Sequence, residues 1–456
     1  MTIDNVLQQL AANRSDAIER MKAFLRIPSI STQPNHAQDC HAAAEWVKGQ
    51  LEAAGFNADI HATDGHPIVV ARNEDAPDDA PKVLFYGHYD VQPPDPLNLW
   101  TTEPFEPTIR DNRLYARGAS DDKGQVCCFL EAIRAWHESV GRVPVNITVL
   151  IEGEEECGSE NLDKFINEHQ DLLAADVALI SDTAMWGEGT PAICYALRGM
   201  VYFDVKLHGP DRDLHSGVYG GSLANPATEL VHVLGKLFDD QHRVTIDGFY
   251  DDVIPLEQDE RDRWKNLDFD DDEFAKSVGL DALHGEAGFT TLERRWARPS
   301  LDINGIYGGY MDEGAKTVIP SFAGAKVSMR LAANQDPVKI DTAFRAWLER
   351  QTPPGCRWEI TDYGKAYPVI LPTDSRYMQA ARRAIEIGCN KSPVLMREGA
   401  TIPVASTFKT VLGIDTLLMG FGRNDDCIHS PNEKFDLDCY DMGCRSHVAL
   451  IWELAG

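Results

Sequence analysis

The chain has 456 residues, of which 43% are hydrophobic and 25% charged, and a formal net charge of −29. That length makes roughly two or three domains with ample core. So acidic a surface argues against nucleic acid or an anionic membrane as a partner; most of the carboxylates read as solubility. No stretch reaches the about 18 apolar residues that a membrane helix needs. At the N-terminus, Ile3, Val6, Leu7 and Leu10, then Ile18, Met21 and Leu25, recur at helical spacing, which predicts helix rather than a signal peptide. The ten cysteines include no CxxC pair, and a reduced, cytoplasmic protein is expected.

The first 190 residues alternate strand and helix patterns. The apolar runs 83–86, 146–151 and 177–181 read as strands, and 123–138 reads as a helix that buries Cys127 and Cys128. Continuous apolar strands separated by helices predict a mostly parallel sheet covered on both faces. Near residue 195 the pattern changes. Val201, Phe203, Val205 and Leu207 alternate with Tyr202, Asp204 and Lys206, and Val327, Met329 and Leu331 alternate with Lys326, Ser328 and Arg330. These are strands with one wet face, as in an antiparallel sheet backed by helices. The acidic stretch 250–275 between them reads as a solvated surface insertion. Helix and parallel-strand patterns return from about residue 375. The fold class expected is α/β, with a second, α+β domain inserted into the first.

Four predicted strands run into His, Asp or Glu, directly or after a loop. The first gives His88 and Asp90, the second Glu154, Glu155 and Glu156, the third Asp182, and the strand at 416–421 leads to His429. Asp121 precedes the helix that begins near Lys123. In open α/β sheets ligands bind beyond the carboxyl ends of the strands, so these groups are expected on one rim. Carboxylate oxygens mixed with imidazole nitrogens suit zinc, manganese or cobalt. Two such ions about 3.5–4 Å apart would polarise a carbonyl and activate a water. Taken singly, each residue has a plainer reading: Asp121 and Asp122 as a helix cap, Glu154–Glu156 as a wet loop, Asp182 as a turn.

Nine segments carry a family resemblance: FYGHYDVQPP, YARGASDDKGQ, EGEEECGSENLD, SDTAMW, DLHSGVYGG, LERRWARPSLDINGIYGGY, GAKTVIPSFAGAKVSMR, REGATIPVASTF and CIHSPNEKF, in order from 85 to 435. The chain resembles the carnosinase-like, or cytosolic non-specific dipeptidase, branch of the di-zinc metallopeptidases that also include aminoacylases and glutamate carboxypeptidases. The resemblance implies a catalytic domain in two parts, 1–192 and 374–456, around a lid and dimerisation domain, 193–373. It implies two divalent metals per subunit, zinc first, with manganese or cobalt as alternatives. His88 and Asp182 would hold one ion, Glu156 and His429 the other, and Asp121 would bridge them. Glu155 would be the general acid/base, and Asp90 would orient His88. His215 would reach the active site of a partner subunit in a homodimer. Thr317, Arg330, Glu398, Gly399, Ala400 and Thr401 would bind substrate, Arg330 gripping a C-terminal carboxylate. Ala400-Thr401 stands where relatives often carry Gly-Ser.

The implied activity is hydrolysis of the amide bond of dipeptides or short peptides. The competing readings are an N-acyl-amino-acid deacylase or carbamoyl amidohydrolase on the same metals, and a non-catalytic binding protein of the same fold. The last predicts missing ligands, and none is missing.

Overall fold

A computed structural model describes residues 2–73, 76–77 and 79–456. The chain divides into two compact units: Met1–Tyr195 with Leu371–Met396 and Thr407–Gly456, and Ala196–Ile370 with Arg397–Ser406.

The first unit is built on a mixed sheet. Its strands lie in the order Asn57–His61, Ile68–Arg72, Asn146–Glu152, Lys82–His88, Val177–Ile180, Asp415–Leu418 and Ala192–Leu197. The four central strands pair parallel and are almost wholly apolar and buried. The neighbours on either side pair antiparallel. The sheet is thus mixed, and its parallel core is made of the strands that lead to the predicted ligands. The helix Lys123–Val140 buries every residue from Lys123 to Trp136 and ends at Gly141, whose left-handed φ of 77° closes the last turn. It packs on the helix Leu437–Ala455, where the Trp136 indole donates to the Val448 carbonyl at 3.2 Å. The predicted N-terminal helix is two, Ile3–Ala12 and Arg14–Leu25.

The second unit contains a four-stranded antiparallel sheet, in the order Ser300–Gly308, Phe322–Leu331, Gly199–His208, Arg357–Ala366. The alternation read in the sequence is its two faces. Val201, Phe203, Val205 and Leu207 are fully buried against Leu230 of one helix and Ile340, Phe344 and Trp347 of another. Tyr202, Asp204 and Lys206 point the other way and are only half-buried.

The acidic stretch 250–275 departs from expectation. It forms the helices Gln258–Lys265 and Asp271–Ser277 and is not wholly solvated. Trp264 is 4% exposed, and Glu260 is buried against Arg397 at 2.5 Å. Arg261 meets buried Glu293 at 2.6 Å. Most of the rest of the stretch, such as Asp262, Asp268, Asp271 and Asp272, is solvated. A charge run looks the same in sequence whether its partners are water or arginines distant in the chain.

Candidate metal centre

Because the four central strands run parallel, their carboxyl ends share a rim. His88 closes the first and pairs in register with Glu152 of the second. After Glu152 the chain turns sharply at Gly153, where a Cβ would stand 2.2 Å from the Tyr89 ring. A single turn, Glu155–Cys157, follows and ends at Gly158, φ 104°. That turn separates the three glutamates. Glu154 faces inward, its carboxylate accepting from His66 N, Asn161 N and the Asn161 amide. Glu156 faces His429, Oε2 to Nε2 3.2 Å, and accepts from the Gln92 amide at 2.8 Å. Among the described residues the Glu155 carboxylate makes no hydrogen bond.

His88 is fully buried. Its Nδ1 lies 3.1 Å from the Asp90 carbonyl and 3.3 Å from the Asp90 carboxylate. A carbonyl only accepts, so Nδ1 carries a proton there, and Nε2 is the nitrogen left to ligate a cation, which would displace its proton. Nε2 faces Asp121 at 3.2 Å and Asp182 at 3.8 Å. The other Asp121 oxygen lies 2.9 Å from His429 Nε2. Two ligand triads result, His88–Asp121–Asp182 and Asp121–Glu156–His429, each with its donor atoms within 4.8 Å of one another, and Asp121 belongs to both. Asp90 ties the triads together, since its other oxygen accepts from Glu156 N at 3.0 Å.

The electrostatics are those of crowded acids. Burial pushes Glu155 up to about 7, with Glu156, Asp121 and Asp90 adding to it. Asp182 is raised well above the usual range by burial and then by Asp121 and Asp122. Burial works against Asp121 too, but hydrogen bonds from His429 and His88 outweigh it and hold the group low. His429 is raised to about 10 by Asp121 and Glu156. The donor set, imidazole nitrogen and carboxylate oxygen in two groups sharing one carboxylate, fits a pair of borderline divalent cations.

Several residues that hold this rim carry no sequence signal. Asp122 does not cap the helix that follows it; its carboxylate accepts from His88 N at 3.2 Å. Glu433 is buried and takes four donors: Arg117 at 2.7 Å and the backbone N–H groups of Gly118, Ser120 and Asp121 at 2.9, 3.0 and 3.1 Å. It therefore fixes the backbone from which Asp121 projects. His429 sits in left-handed backbone, φ 58°, as does Cys427, φ 56°. A non-glycine held there is strained, a feature that collects at functional sites.

The remaining predicted residues lie in the second unit. Arg330 donates to Thr401 Oγ1 at 2.8 Å, and that hydroxyl donates to the Arg198 carbonyl at 2.6 Å. The Arg198 side chain donates to the Gly399 carbonyl at 2.9 Å, and Glu398 accepts from Gly399 N. Ala400 is exposed. His215 is exposed, and its Nδ1 accepts from Gly217 N at 3.0 Å. Thr317 lies beside it, its carbonyl accepting from Ser216 N at 3.1 Å. Arg198 was not anticipated as part of this loop.

The model of Peptidase family M20/M25/M40 matches residues 84–453. The Cys-Gly metallodipeptidase DUG1 of Saccharomyces cerevisiae is 31% identical, over 99% of this chain and 98% of its own. The Beta-Ala-His dipeptidase of Homo sapiens is 31% identical, over 99% and 93%. The solved structure of Sso-CP2, an M20 family metallo-carboxypeptidase from Sulfolobus solfataricus, superposes with a TM-score of 0.86 at 31% identity, covering 96% of this chain and 99% of that one. The chain belongs to peptidase family M20/M25/M40 and is an enzyme of the metallopeptidase class.

Proposed function

We propose that the chain hydrolyses the amide bond of dipeptides or short peptides that carry a free C-terminal carboxylate. The observation that supports this most is the pair of triads sharing Asp121, with Glu155 beside them and uncommitted. His88 and Asp182 would hold one divalent ion, Glu156 and His429 the other, and Asp121 both; zinc is the first candidate. Ions so placed supply polarisation of the scissile carbonyl and acidification of a water. Glu155 takes the proton from the attacking water and returns it to the departing amine nitrogen. Asp90 keeps the His88 ring in its ligating tautomer. Arg330 receives the substrate carboxylate, its fork oriented by Thr401.

The segment 193–373 serves as lid and dimerisation domain, with His215 acting on the substrate of a partner subunit. The names of the relatives support a dipeptide substrate. Ten free thiols support a reducing, cytoplasmic setting. No helix among the described residues is long and apolar enough to cross a membrane.

The test is metal-stripped protein given back zinc, manganese or cobalt and offered Cys-Gly, β-Ala-His and N-acetyl amino acids. Dipeptide hydrolysis that returns with metal supports the reading; turnover of the N-acetyl substrates alone replaces it with a deacylase.

A further inference from the structure

The second unit contains a cavity of about 390 Å³, within the roughly 300–1,000 Å³ typical of small-molecule sites. Its charge runs against that of the chain. Arg198, Arg294, Arg295 and Arg298 line it together with the rings of Phe238, Tyr250 and Phe274. Two carboxylates share the wall, Glu286 and Asp302. Glu286 is committed to Arg298, which donates to both its oxygens at 2.8 and 2.7 Å. Asp302 is exposed to solvent.

The other three guanidiniums have only neutral partners among the described residues. Arg198 donates to the Gly399 carbonyl, to Ser300 Oγ and to the Arg298 carbonyl. Arg294 donates to Thr291 Oγ1 at 3.2 Å. Arg295 makes no ion pair and lies 4.9 Å from the centre of the Phe274 ring. Burial lowers Arg198 to about 10; the charge of Arg330 adds to the effect, and Glu398 and Asp302 offset it only in part. Half-buried cations whose hydrogen bonds go only to neutral groups are costly, and an anion in the cavity lowers that cost. Guanidinium forks match carboxylate and phosphate oxygens two at a time, while aromatic walls suit a flat or apolar frame.

We propose that this cavity binds a small organic anion with two acidic groups, carboxylate or phosphate, on a flat frame. Every lining residue belongs to the second unit and none is a candidate metal ligand; Arg198 alone also holds the proposed substrate loop, and it is left unaltered in the test below, so the two readings are tested separately.

The probe is isophthalate, whose carboxylates are too far apart to chelate one metal ion, titrated into the full chain by calorimetry at low salt. Neutral isophthalamide is the control. Saturable binding is expected for isophthalate only, weakened about tenfold by Arg294→Gln or Arg295→Gln and about a hundredfold by the double variant. Both side chains are half-buried without ion pairs, so the melting temperature should hold. Tighter binding of 4-carboxyphenyl phosphate would assign phosphate to the site, and weaker binding carboxylate. No saturable isophthalate binding, equal binding by isophthalamide, or equal binding by wild type and double variant would overturn the proposal.

Discussion

The rim of the first unit and the arginine-lined region of the second are opposite errors of charge balance. At the rim, Asp90, Asp121, Asp122, Glu155, Glu156 and Asp182 crowd around two histidines. In the second unit, Arg198 and Arg330 are buried enough that desolvation lowers both, and their hydrogen bonds go to neutral oxygens. Other buried charges are paired, as Arg397 with Glu260 and Arg117 with Glu433. Set against those pairs, the rim's excess of carboxylates suits cations, and guanidiniums whose hydrogen bonds go to neutral oxygens suit an anion.

The largest way to break this contrast is Glu155→Gln. It removes a proton acceptor but no proposed ligand. Turnover should fall by about 10³-fold or more with metal content unchanged; retained turnover would sink the assignment. Glu433→Gln comes next. It leaves every ligand in place but weakens the grip on the Asp121 backbone, and metal affinity should drop about 10–100-fold in a competition titration. Arg330→Lys keeps the charge and loses the fork. KM for a dipeptide should rise about tenfold with kcat little changed, and an equal fall in kcat would place Arg330 in the chemistry instead.

The smallest effect lies away from both imbalances. His447 is buried beside Ser181 and the rings of Phe85, Phe129 and Phe421, and burial alone lowers it to about 3. The folded value lies below the unfolded 6.5, so the unfolded state binds the proton first. The stability this neutral ring contributes is complete above pH 6.5 and is lost as pH falls toward 3. Between pH 6.5 and 5.5 the loss should approach about 1 kcal/mol, and His447→Gln should remove that part of the slope in denaturant titrations.

Much of this was legible beforehand for a physical reason. A strand buried on both faces must be apolar throughout, and a charged residue at its end stands out. His88 and Asp182 were visible in that way, and the alternation of residues 200–208 gave the second sheet. His429 was less so, since a loop with left-handed backbone carries it and periodicity says nothing about such a turn. Adjacent Glu154, Glu155 and Glu156 look alike until a single turn sends them to different neighbours. Glu433 could not be found, because its partners are backbone N–H groups, which every sequence has. The burial of Glu260 was hidden likewise, as Arg397 lies 137 residues away.

The Glu433 clamp also orders events in time. During synthesis His88, Asp121 and Asp182 emerge about 250 to 345 residues before His429 and Glu433. Until that late segment arrives, the 118–121 backbone lacks its four-donor anchor and the shared carboxylate has no second histidine. A nascent chain therefore holds only one of the two candidate triads through much of its translation, and the proposed hydrolysis waits for the last tenth of the sequence to fold back onto the first third.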